Sequence, residues 1–123
     1  MTKVTKILAL DAKTADAHAC IDVERLSELE IVVDYTGDAV DSAVTMTVYS
    51  AMDKAGTVKA LVGFNPILTA TRDTDGALAF NENSSTTAYQ VPGRHKFLYI
   101  GIGTITDDVV FTAWVIGREE FGL

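Results

Sequence analysis

The sequence predicts an all-β fold, an antiparallel β-sandwich or jelly roll of about eight strands. Apolar and polar residues alternate along most of the chain, with the period of two that a half-buried strand shows. Turn-forming residues separate these segments at intervals of roughly 8–14 residues, as in small sandwiches. No segment has the apolar spacing of a convincing long helix. The length of 123 residues, without a linker or internal repeat, predicts one domain over residues 1–123.

The predicted strands cover residues 15–23, 29–35, 44–49, 57–62, 78–80, 87–91, 97–102 and 109–116. Residues 15–23 alternate alanine, isoleucine and valine with mostly polar residues. An alanine-rich helix over residues 14–29 is the alternative, and the spacing of two favours the strand. Residues 44–49 alternate β-branched, aromatic and methionine side chains, a composition suited to a pleated sheet.

The last two predicted strands, residues 97–102 and 109–116, are the most hydrophobic part of the chain. Both are apolar on both faces, as central strands are when a second sheet or another subunit covers them. The polar turn at residues 106–108 predicts that the two strands form a hairpin.

Charge and segment length exclude several classes of function. Ten basic and 17 acidic residues give a net charge of −7, which disfavours binding to nucleic acid. The apolar run at residues 7–10 is too short for a signal peptide, and no run reaches the ~20 residues of a membrane helix. We therefore expect a chain made and kept in a cytoplasm, without a membrane partner.

Residues suited to catalysis or metal binding are few. His18 and His95 are too few for a transition-metal site of the cupin kind, and Asp73-x-Asp75-Gly76 lacks the later ligands of a calcium loop. Gly101-x-Gly103 lies inside a predicted strand, which indicates close backbone approach rather than phosphate binding. The single cysteine, Cys20, is interpreted as a small buried hydrophobe. We expect no enzyme activity, metal or cofactor.

Four segments, residues 26–37, 42–50, 95–101 and 109–117, follow one another in an order that resembles a known family. An apolar strand and short turn precede a threonine-rich strand, and two apolar strands close the chain after a long middle. This pattern, over about residues 20–118, resembles small all-β virion proteins of tailed bacteriophages, including capsid decoration (cement) proteins.

The resemblance implies a non-enzymatic capsid decoration protein that binds and stabilises the assembled head. Its expected partners are the major capsid protein and further copies of the chain, with a trimer as the expected oligomer. It would be made in the host cytoplasm and located on the capsid surface. A tail or head–tail component is one alternative. A carbohydrate- or receptor-binding sandwich is another, with Tyr49 and Tyr89 as its candidate exposed rings.

The N-terminal residues 1–10 contain the candidate interface residues Val4, Ile7, Leu8 and Leu10. The segment is too short to form a core of its own. It is either an arm that adds a strand to a neighbouring sheet or the first strand of its own sheet.

Overall fold

The structure, a computed structural model, describes residues 2–36, 43–61, 67–72, 78–79, 86–103, 105 and 109–120. These residues form ten strands: β1 (Thr2–Lys13), β2 (Ala17–Asp22), β3 (Leu26–Thr36), β4 (Ala43–Ala51), β5 (Lys59–Leu61), β6 (Ile67–Arg72), β7 (Leu78–Ala79), β8 (Thr86–Gln90), β9 (Phe97–Gly103) and β10 (Val110–Glu120). The all-β prediction is confirmed. Strands β1 and β6 are additional to the eight predicted segments.

The strands form two sheets. Sheet I has the order β1-β10-β3-β8, and sheet II has the order β2-β9-β4-β6-β7, with β5 also paired to β4. All of the ladders between described strands are antiparallel. Within the described part of the chain, no helix is long and apolar enough to cross a membrane.

The strand order is that of a jelly roll. Strand β1 pairs with β10, β2 with β9, β3 with β8, and β4 with β6. The first half of the chain therefore pairs with the second half in reverse order, like one long hairpin wrapped into two layers. The short strands β5 and β7 extend sheet II beside this framework.

The predicted hairpin between residues 97–102 and 109–116 is wrong. Strand β9 lies in sheet II and β10 lies in sheet I, so the connection between them crosses from one sheet to the other. A hairpin and a connection between two sheets both show two apolar strands separated by a turn, so the local sequence does not distinguish them. The partners that decide between them, β1–β4, lie far away in the sequence.

The core lies between the two sheets and is built by alternate residues of each strand. The predicted apolar stripes are confirmed in β3 and β4, where Ile31, Val33, Val44 and Val48 are fully buried. Strand β10 contributes Phe111, whose ring centroid lies 6.2 Å from that of Tyr35.

The alanine-rich segment forms a strand, as the spacing of two predicts. Strand β2 pairs with β9, and Ala17, Ala19 and Ile21 pack against the core. Small side chains suit this position because β2 is the edge strand of sheet II.

A turn after β4 is fixed by one aspartate. The Asp53 carboxylate accepts hydrogen bonds from the Thr57 hydroxyl and from the Val58 backbone N–H, the latter at 3.1 Å. The Gly56 N–H donates to the Asp53 carbonyl at 3.0 Å. Gly56 has φ of 71° and lies against the Tyr99 ring, so the turn packs on the outer face of sheet II.

Replacing Gly56 with alanine should destabilise the fold. A Cβ atom there would lie 2.5 Å from Cδ2 of Tyr99, and the positive φ disfavours a side chain independently. We expect the free energy of unfolding to fall by about 2–4 kcal/mol in urea titrations. Gly103→Ala is the matched control, since nothing lies within 4 Å of its added Cβ. Equal losses in the two variants would contradict this account of the turn.

Acid should weaken the same turn. The hydrogen bonds from Thr57 and Val58 hold the pKa of Asp53 below its usual value of 3.8. The folded form therefore favours the carboxylate, which contributes stability above the usual pKa, and that contribution disappears as the pH falls through the lowered pKa.

Denaturation titrations from pH 7 downward compare wild type with Asp53→Asn. We expect wild type to be the more stable at pH 7 and the difference to shrink in acid. Asp16→Asn, at an exposed position between β1 and β2, is the control. A difference that stays constant down to pH 2 would count against the turn hydrogen bonds as its source.

Candidate docking surface

The N-terminal segment forms β1, the edge strand of sheet I, and pairs with β10 from Thr2 to Lys13. In this structure it is the first strand of the chain's own sheet. The four candidate interface residues divide into two pairs. Leu10 is 1% exposed and Ile7 packs against the core, whereas Val4 is 60% and Leu8 is 49% exposed.

A β-bulge causes this division. Leu8 pairs with Trp114 and Leu10 pairs with Ala113, so Ala9 is an extra residue in β1. The extra residue reverses the alternation, which turns Leu10 inward although Leu8 points outward. Val4 and Leu8 are therefore the members of the predicted set that reach the outer face of sheet I.

The outer face of sheet I carries an apolar row, with two further apolar side chains in the next two rows. Cross-strand pairing places Leu8, Trp114 and Val32 in one row over β1, β10 and β3. Ile116 lies in the adjacent row, and Val4 lies one row further along β1. The docking surface is defined here as these five side chains: Val4, Leu8, Val32, Trp114 and Ile116.

Trp114 lies at the centre of the docking surface and is the only tryptophan of the chain. Its ring is half-buried, and Nζ of Lys6 lies 4.8 Å from the ring centroid. The sequence signal for this surface is the two-sided apolar character of residues 109–116. The inward face of β10 is covered by sheet II, whereas Trp114 and Ile116 on its outward face are partly exposed.

Charged residues surround the docking surface. Lys6 and Glu30 lie on either side of Ile116, because Ile116 pairs with both. Arg118 forms an ion pair with Glu28, which has φ of 52° at an irregularity in β3. An apolar centre with an aromatic residue and a charged rim is the usual anatomy of a protein interface.

An open groove of about 800 Å³ continues the docking surface at one end of sheet I. Its lining mixes charged and apolar residues, including Glu28, Arg118 and Pro92. Within the described ranges, no group of three His, Cys, Asp or Glu residues is arranged to hold a metal ion. The segment Asp73-x-Asp75-Gly76, which lacks the ligands of a calcium loop, lies outside the described residues.

The two histidines are engaged in structural contacts. His18 stacks on Tyr99, with ring centroids 5.1 Å apart. His95 is partly buried. Its Nδ1 lies 2.8 Å from the Ser50 hydroxyl, and its Nε2 lies 2.8 Å from the Pro92 carbonyl oxygen.

Cys20, interpreted from the sequence as a small buried hydrophobe, is only partly buried. Its Sγ donates to the Asp53 carbonyl at 3.6 Å. Burial raises the pKa of the Cys20 thiol, and the Asp53 carboxylate raises it further against a smaller lowering by Lys59. A raised pKa keeps the thiol protonated at neutral pH, which disfavours nucleophilic chemistry.

The predicted pair of exposed rings, Tyr49 and Tyr89, does not form a shared platform. Tyr89 is on β8 of sheet I and packs against the core. Tyr49 is on β4 of sheet II, where its ring meets Tyr99 edge-on at 5.7 Å and Lys59 lies over both rings. The alternation could not show that the two tyrosines belong to opposite sheets.

Comparison with known proteins gives matches by fold. No protein-family model matches the chain, and no curated protein matches its sequence. The SPBc2 prophage-derived protein YomS is 18% identical, with a TM-score of 0.51 over 95% of this chain and 96% of that chain. A chain of Desmodium yellow mottle tymovirus is 10% identical, with a TM-score of 0.54 over 100% of this chain and 89% of the other.

A third similar structure comes from Bacillus endospore appendages, described as disulfide-linked pili. It is 14% identical, with a TM-score of 0.50 over 99% of this chain and 88% of that chain. At these identities the comparisons establish a shared all-β fold.

Proposed function

We propose that this chain is a non-enzymatic structural protein of a tailed-bacteriophage virion, and specifically a decoration protein that binds the assembled head. The observation that carries the proposal is the docking surface, an apolar area centred on Trp114 on the outer face of a jelly roll. Such an area, surrounded by charges, is typical of a site where another protein binds.

The fold supports a structural role. Two sheets closed over one core give a compact framework of paired strands, which suits a subunit of an assembly. Similar folds occur in a prophage-derived protein and in a tymovirus chain. The resemblance of the strand pattern to phage decoration proteins adds the specific role on the head.

Decoration of a head needs two kinds of contact. The chain would bind the major capsid protein on the outer surface of the shell and would also bind other copies of itself. The resemblance predicts a trimer of the chain, and the mass of the purified protein decides between this trimer and a dimer.

Shells that lack the protein provide the functional test. Purified protein is added to them, binding is measured by co-sedimentation, and survival is measured after heat and osmotic shock. We expect bound protein and greater survival, because a ligand that binds the assembled shell and not free subunits stabilises the shell by mass action. Absence of binding together with unchanged survival would overturn the role in decoration.

A further inference from the structure

We propose that the docking surface binds a second copy of this chain, face to face, about a two-fold axis parallel to β10. This inference rests on the proposed function only in taking the docking surface as a protein contact. A second copy of the chain is the partner, because the charges around the docking surface are complementary to those of a second copy.

Opposite charges lie at matching positions on the two sides of β10. Lys6 on β1 and Glu30 on β3 both pair with Ile116, so they occupy the same height along the strands. They are two strand spacings apart, roughly 10 Å. Across β1, β10 and β3, this row therefore has a positive side chain, an apolar side chain and a negative side chain.

A two-fold axis between the facing sheets, parallel to β10, exchanges the two sides of this row. Lys6 of one copy then faces Glu30 of the second copy, and the reciprocal pair forms on the other side of the axis. The strands of the facing sheets run nearly parallel in this arrangement, as in aligned sheet packing. One surface thereby complements itself in charge.

The centre of the surface also suits self-pairing. Trp114 and Ile116 lie on β10, near the axis, so each would meet its own counterpart. Lys6, whose Nζ lies over the Trp114 ring in the single chain, would move off the ring to reach Glu30 of the second copy. Arg118 also lies on β10, and its charge is compensated within each copy by Glu28. In the dimer, the two Arg118–Glu28 ion pairs therefore lie near the axis without a net charge.

The dimensions of the face set the expected strength. A four-stranded sheet about 14 Å across and about 30 Å long covers roughly 400 Å² in projection. Two such faces bury roughly 800 Å² in total in projection, which is below the standard size of a specific interface and typical of a weak pair. We therefore expect association in the micromolar range.

Charge reversal tests the pairing by sedimentation equilibrium of the full chain. Lys6→Glu and Glu30→Lys should each raise the dimer dissociation constant roughly tenfold or more, because either change creates two like-charge contacts per dimer. An equimolar mixture of the two variants should dimerise as well as wild type, since every contact in the mixed pair is again between opposite charges.

The mixture separates this pairing from a general loss of folding or solubility, which mixing would not reverse. Two weakened variants that do not recover on mixing would overturn the proposal, and so would a monomer or a trimer as the wild-type species at tens of micromolar. The measurement contains no shells. If no dimer forms, shell binding is still tested independently by co-sedimentation. Conversely, the dimer can form even if the protein does not bind shells.

Discussion

Phe111→Ala should reduce the free energy of unfolding by about 3–5 kcal/mol, the range for removing a large aromatic side chain from a core. Phe111 is fully buried, and its ring stacks against Tyr35 on the neighbouring strand β3. Both rings lie in the layer between the sheets, so the cavity would open at the contact that holds the two layers together. Urea denaturation followed by circular dichroism measures the loss.

Val110→Ala is the control for Phe111→Ala. Val110 is the adjacent residue on the same strand and is 40% exposed on the outer face. We expect a loss below about 1 kcal/mol, as for most surface substitutions. Similar losses for the two variants would contradict the assignment of Phe111 to the core.

Trp114→Ala should abolish association through the docking surface while the chain stays folded. The ring is the largest side chain of the surface, and aromatic anchors near the centre of an interface contribute most of the binding energy. We expect a loss of at least about 2 kcal/mol in binding, or roughly 30-fold in affinity. The contact with Lys6 contributes only about 0.5–1 kcal/mol to folding.

Tyr49→Ala is the matched aromatic control for Trp114→Ala. It removes a half-buried ring from the outer face of sheet II, away from the docking surface. Sedimentation equilibrium should give wild-type association for Tyr49→Ala and a monomer for Trp114→Ala. If both variants associate like wild type, the outer face of sheet I is not the interface.

The alternation of apolar residues predicted the core well, because burial between two sheets imposes a period of two on each strand. Residues such as Ile31, Val33 and Val48 follow this rule and are fully buried. The pairing of strands was less predictable, since a jelly roll joins segments from opposite ends of the chain. The wrong hairpin between residues 97–102 and 109–116 has this cause.

The N-terminal segment shows a second limit. A period-two pattern assigns Leu8 and Leu10 to the same face, and the bulge at Ala9 places them on opposite faces. A bulge depends on how the partner strand fits, which residues 2–13 alone do not specify. Val4 and Leu8 therefore belong to the docking surface, whereas Ile7 and Leu10 belong to the core.

The centre of the candidate site was indicated only indirectly. The two-sided apolar character of residues 109–116 pointed to cover by a second sheet or by another subunit. In the structure, sheet II covers Phe111, Ala113 and Val115. Trp114 and Ile116 lie on the opposite face of β10. The positions of Lys6 and Glu30 in one row required the register of three strands.

Trp114 also provides the most direct test of the account, because its fluorescence is the only tryptophan signal of the chain. Quenching by acrylamide, a neutral quencher that Lys6 does not attract, is measured over a range of protein concentrations and again with added shells. We predict that quenching decreases as the protein associates, since the ring becomes covered. Equal quenching of monomeric and associated protein, with and without shells, would contradict the central claim that this face is where the protein docks.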